Sequence, residues 1–229
     1  MHLWQCQFHK ALFIFRGGVA DHNRMTPKFT IPDTAVVLVD HQVGTINWAG
    51  ELSPVEREQL KMWVRIFARF AKAAGMPVVL TSSMETQAQG LLLPEFQTIL
   101  PAEYEARVKR VGVINAWDDP NFANAVRKTE RRNLIMSGLT TDVCLVPPAL
   151  SAKAEGFNVI ALFDQSGACT KTAAINSRHL LNDAGIKVMT TVPMITSLLG
   201  DYTNPASGAW FQAMDEEKVY PLLGAGDVR

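Results

Sequence analysis

Cys144 stands in the stretch GLTTDVCLVPPAL, residues 138–150, directly after the apolar run NLIMS at 133–137. A thiol one short turn beyond a buried strand has two readings. Free cysteines are among the most buried side chains and pack as small apolar groups, which would make it core filler. It is equally placed to be a nucleophile. The thiolate is the reactive form, and a helix N-terminus or a nearby cation favours it. A strand–turn–helix unit also exposes the residue at its apex, and its backbone N–H groups can face a developing oxyanion. Asp40, which closes the run AVVLVD at 35–40, carries the same duality between a turn residue and a general base for a thiol. Lys109 and Arg110 read as solvated loop charges, of which only one need turn inward. Ser82, Ser83, Glu85 and Thr86 follow a second apolar run, and Asp164 and Ser166 follow a later one. Cys6 and Cys169 have no cation nearby in sequence and read as structural or incidental. His41, His179 and the N-terminal histidines lack ligand spacing, so no metal site is expected from them.

These groups need a frame. Short β-rich apolar runs recur at 35–40, 77–82, 132–138, 158–164 and 187–192, with RVKRVGVIN at 107–115 as one more candidate. Continuous apolar runs suit strands covered on both faces. Between them lie helical patterns. Ser53-Pro54 is an N-cap followed by a first-turn proline, and the amphipathic stretch from Val55 to Ala74 stops at Gly75. Further helices are expected from Asp119-Pro120 to about Lys128, from about Pro148 to Glu155, and from about Thr172 to Asp183. The pair Pro147-Pro148 starts or kinks the helix just after the cysteine. The alternation predicts an α/β fold, a three-layer Rossmann-like open parallel sheet of about six strands with helices on both faces. In such a sheet, ligands bind at the carboxyl ends of the strands, where Asp40, Glu85, Cys144 and Asp164 all fall.

Lysine plus arginine equals aspartate plus glutamate at 22 each, so no basic surface invites nucleic acid or an acidic membrane. Three widely spaced cysteines, an odd number, make no disulfide framework and fit a reducing compartment such as the cytoplasm. No run approaches the roughly 20 apolar residues of a membrane helix. Residues 1–24 lack the pattern of a secretory signal and read as an extension ahead of a single domain over 25–229. That domain is expected to end in a helical tail containing Trp210, Phe211, Val219, Tyr220, Leu222 and Leu223.

From about Thr30 to Leu199 the chain resembles the isochorismatase-like cysteine hydrolases, and within them the YcaC-like branch. LVDHQ at 38–42, TSSMET at 81–86, INAWD at 114–118, SGLTTDVCLVPPALSA at 137–152 and FDQSG at 163–167 carry the likeness. The resemblance implies a triad in which Asp40 takes the thiol proton and Cys144 attacks. The third position, usually lysine, is Arg110 by count in this branch, with Lys109 adjacent. It further implies a non-proline cis peptide at Leu139-Thr140, turning the Thr140 N–H toward substrate to form an oxyanion hole with the Cys144 N–H. Gln42, Glu85, Asn115 and Trp117 would line a small pocket. No cofactor is implied, and no metal, because SSMETQAQGLLLPEF holds none of the histidines that nicotinamidase-type relatives place there. The implied reaction is cysteine-dependent hydrolysis of a small-molecule amide or ester through an acyl-thioester, in a homo-oligomer (tetramer or octamer). Two rivals stand beside it: vinyl-ether hydrolysis by Asp40 alone, and a redox-sensing or non-catalytic thiol protein that has kept the fold.

Overall fold

The computed structural model describes residues 28–219. The extension at 1–24 with Cys6, and Tyr220, Leu222 and Leu223 of the tail, lie outside the described residues. Six strands form one sheet, each paired in parallel: β1 (Thr34–Val39), β2 (Val78–Ser83), β3 (Val108–Arg110), β4 (Asn133–Gly138), β5 (Asn158–Leu162) and β6 (Lys187–Met189), in the order β3-β2-β1-β4-β5-β6. Every residue of β1 and β4 is buried, which is why these strands read as unbroken apolar runs. The chain winds outward from β1 to β3, then returns to start β4 on the other side of β1. That reversal opens a crevice at the carboxyl ends of β1 and β4.

The helices α1 (Thr45–Trp48), α2 (Pro54–Ala73), α3 (Glu95–Ile99), α4 (Pro101–Glu105), α5 (Pro120–Arg127), α6 (Val146–Ala154), α7 (Lys171–Asp183), α8 (Thr191–Leu199) and α9 (Ser207–Glu216) complete the layers. On one face Val36 and Leu38 meet Phe67 and Phe70 of α2, Ile195 of α8 and Trp210 of α9. On the other, Val37, Val39 and Met136 meet Phe122 of α5, Ala149 of α6 and Leu181 of α7. Strand alternation sends successive β1 residues into the two cores in turn. Removing a fully buried ring such as Phe67 costs about 3–5 kcal/mol.

Helix α2 starts where expected. Ser53 Oγ accepts the Glu56 N–H and Glu56 reaches back to the Ser53 N–H, a reciprocal cap, and Gly75 takes φ 69° just past the end. Three expectations shift. The 107–115 run contributes only three residues of strand, because the chain leaves the sheet edge after Arg110. KVMTTV ends as strand at Met189, because Asp164 accepts the Thr191 N–H at 2.8 Å and the Thr191 hydroxyl at 3.0 Å, capping α8 from another loop. The helix runs on past Met194 to Leu199. Ahead of α6, one wide turn over Thr141–Leu145 carries the cysteine, and α6 begins at Val146, two residues before Pro148.

Candidate active site

Asp40 leaves β1 in the left-handed region, φ 57°, with its N–H on the Thr81 carbonyl at 3.0 Å and its own carbonyl accepting the Thr45 hydroxyl at 2.6 Å. Both backbone groups are held, so the side chain is aimed. Its Oδ2 accepts Arg110 Nη2, and the buried Oδ1 meets no N–H or O–H donor among the described residues. Arg110 closes β3, and none of its side chain reaches solvent. It also donates to Thr81 Oγ1 at 3.1 Å and to the Val113 and Ile114 carbonyls at 2.7 and 3.2 Å. Strand alternation turns the preceding Lys109 to the opposite side, where it is exposed. Lys109 is thereby removed as the basic partner of Asp40, since one residue of strand reverses the side-chain direction. A guanidinium stays charged and orients the carboxylate without giving up a proton.

Cys144 sits half-buried in the wide turn, its N–H donating to the Thr140 carbonyl at 2.7 Å. Burial pushes the thiol well above its ordinary range, and the Asp40 charge adds to this, against the opposing pull of Arg110. Asp40 is likewise raised by burial, with Arg110 and the Cys144 thiol pulling it back. Burial thus disfavours the charged form of both groups, and the Cys144 thiol acts on Asp40 as a hydrogen-bond donor. For the thiol, desolvation is a larger influence than the one cation.

The peptide Leu139-Thr140 is cis. Among the described residues no acceptor meets the Thr140 N–H, whereas the Cys144 N–H, expected beside it in an oxyanion hole, is engaged by the Thr140 carbonyl. Gly138 is required here. A Cβ on it would lie 3.0–3.1 Å from the backbone of Cys144 and Leu145, so the turn packs against bare glycine.

The segment after β5 braces this turn. Ser166 Oγ accepts the Gly138 N–H at 3.1 Å, Gly167 accepts the Thr141 N–H at 3.0 Å, and Asp142 accepts the Cys169 N–H at 3.2 Å. Cys169 Sγ lies 3.7 Å from Thr140 Oγ1, so a residue read as incidental stands beside the turn that carries Cys144. The run FDQSG marks the segment, but nothing in the sequence shows that it reaches Thr140. His41, fully buried, pairs Nε2 with the Gln165 carbonyl at 2.9 Å, and burial lowers its pKa to about 4. It is neutral and structural.

The four expected pocket residues are engaged elsewhere. Gln42 is fully buried and exchanges its amide with the Ser83 backbone at 2.8 and 2.9 Å. Glu85 accepts from Ser82 at 2.7 Å and from Arg107 at 2.6 and 3.1 Å. Asn115 caps the Trp117 N–H and donates to Ser151 at 3.1 Å. Trp117 packs edge-on against Phe122 and Phe157 and donates to Glu155 at 2.9 Å, a core residue between α5 and α6 rather than a pocket wall. Among the described residues, no three His, Cys, Asp or Glu gather as a metal site, and no helix is long and apolar enough to cross a membrane.

The isochorismatase domain model matches residues 34–192, which run from β1 through the turn of Cys144 to the start of α8. The chain belongs to the isochorismatase family. It is 36% identical over 176 residues to the probable hydrolase YcaC of Escherichia coli, covering 77% of this chain and 82% of that one. The solved structure of that E. coli protein, an octameric hydrolase of unknown specificity, has a TM-score of 0.76 at 31% identity over 87% of this chain and 100% of its own. YcaC from Pseudomonas aeruginosa, solved with hexane-2,5-diol and covalent acrylamide, has a TM-score of 0.76 at 30% identity over 89% and 99%. The protein is a YcaC-like hydrolase of this family.

Proposed function

We propose that the chain hydrolyses a small amide or ester through an acyl-thioester on Cys144. The observation that carries this is the buried Asp40–Arg110 pair, whose second carboxylate oxygen meets no N–H or O–H donor among the described residues, beside the Cys144 thiol. Asp40 takes the thiol proton as Sγ attacks the carbonyl carbon. Arg110 keeps its charge and fixes the carboxylate. The Thr140 N–H is the free oxyanion donor, and the Cys144 N–H joins only by sharing its bond with the Thr140 carbonyl. As the tetrahedral intermediate collapses, Asp40 returns the proton to the leaving amine or alkoxide. Water, deprotonated by Asp40, then cleaves the thioester. Acrylamide bound covalently in the P. aeruginosa relative is an electrophile of the kind thiols add to, which supports a nucleophile of this class. The octameric E. coli relative supports self-assembly of this chain.

A peroxide-sensing role fits less well, because sulfenic-acid chemistry favours accessible, low-pKa thiols and this one is pushed up. The deciding experiment is a screen of small amides and esters with Cys144→Ala beside the parent chain, circular dichroism confirming the fold of each. Turnover should vanish in the variant. Turnover retained at more than a few per cent would mean Asp40 works alone, as in vinyl-ether hydrolysis.

A further inference from the structure

We infer that the Cys144 site selects uncharged substrates with an apolar body and turns anionic ones away; this deepens the hydrolase reading and rests on it. The first argument is the state of the cations. A site that takes a carboxylate or phosphate needs a positive group with donors to spare. Arg110 has four of its five N–H groups engaged, one of them by Asp40, so the buried pair carries no net charge toward a ligand. Lys109 points away from Asp40. Arg178, on α7, lies over the Phe163 ring at 4.6 Å.

The second argument is the sign of what remains near the nucleophile. Asp142 stands two residues before Cys144 and is tied to the N–H of Cys169, whose sulfur borders Thr140. Glu51 accepts the Ala168 N–H at 2.6 Å on the same segment. Two carboxylates thus flank the loop that braces the turn of Cys144; Arg178 acts on Glu51, which leaves the Asp142 carboxylate as the like charge an incoming anion meets. The third argument is the rim. Val43 and Trp48 after β1, Leu91 after β2, Val111 and Ile114 after β3, and Val143 after β4 are all exposed. They share the sheet edge that holds Cys144, and Ile114 belongs to the loop whose carbonyls hold Arg110. Apolar side chains at four strand ends suit an apolar substrate body.

Alkylation of the parent chain tests this without needing a known substrate. Rates of Cys144 labelling by iodoacetamide and by iodoacetate, read by peptide mass, are each divided by the rate with 2-mercaptoethanol under the same conditions. The normalised iodoacetate rate should fall about tenfold or more below the iodoacetamide rate. Asp142→Asn should move the ratio back toward that of the free thiol. N-butyl iodoacetamide, which adds an apolar tail at constant charge, should label severalfold faster than iodoacetamide. Equal normalised rates for the anionic and neutral reagents would overturn the charge selection, and a slower butyl reagent the apolar one, while leaving the nucleophile in place. Labelling of Cys169 with none at Cys144 by any reagent would instead overturn the hydrolase reading itself.

Discussion

Two arginine–carboxylate pairs show how burial alters what the same chemistry does. Arg110 and Asp40 meet with side chains 0% and 2% exposed, and Asp40 keeps one oxygen without a donor. Arg65 of α2 meets Glu217, just past α9, with both carboxylate oxygens engaged at 2.6–3.0 Å, and also Glu95 at 3.1 Å, its side chain 20% exposed. The second pair satisfies its charges fully and fastens a helix. The first is left incomplete, and the proposed mechanism uses that incompleteness, because a buried carboxylate oxygen with no N–H or O–H donor can act as a base. Taking ions out of water is costly, so such a pair is kept for chemistry rather than for net stability.

Substitutions can break that contrast in graded steps. Asp40→Asn should remove the base and lower turnover by about 10²–10⁴-fold. It should also lower the Cys144 alkylation midpoint, since a charge that raises the thiol is gone while Arg110 stays. In the parent chain the alkylation rate should still be climbing above pH 9. A neutral-pH plateau would contradict the protonated resting thiol. Arg110→Met strands the carboxylate and should cost about 3–5 kcal/mol in urea unfolding. Asp40 is already raised by burial, and losing the cation raises it further. A group raised in the folded state contributes stability that is lost as pH rises, so the deficit should be larger at about pH 8 than at about pH 5. The reverse trend would show that Asp40 is not the group left unpaired. Arg65→Met should cost roughly 1 kcal/mol and less in high salt, because the pair is partly solvated. Lys61→Ala, which breaks a partly exposed pair with Glu58 one turn away, should cost less than Arg65→Met, no more than about 0.5 kcal/mol on the same unfolding curve.

The sheet was legible because its central strands are buried on both faces and cannot hide that in sequence. The edge was less so, since β3 is three residues long and offers no periodicity to count. The choice between Lys109 and Arg110 turned on strand phase, which only pairing Ser83 with Arg110 establishes. Helix α8 escaped notice because its cap, Asp164, lies 27 positions upstream. The raised thiol and the place of Cys169 are matters of burial and of loop meeting loop, to which local sequence is blind. Asp40 and Cys144 were legible because each closes or follows an apolar run. The bonds by which Gln42, Glu85 and Asn115 brace neighbouring loops were not, because nothing local in the sequence shows which loops meet.

The reversal of strand order between β1 and β4 also divides the proposed catalytic set along the chain. Asp40 and Arg110 come from its first half, Cys144 from its second, and the exposed turn at Glu130, φ 57°, separates them. A cut there would yield one piece holding the base with its cation and another holding only the sulfur, each chemically silent. Fused to two proteins that bind each other, such halves should recover hydrolysis when brought together, making the chain a candidate split reporter.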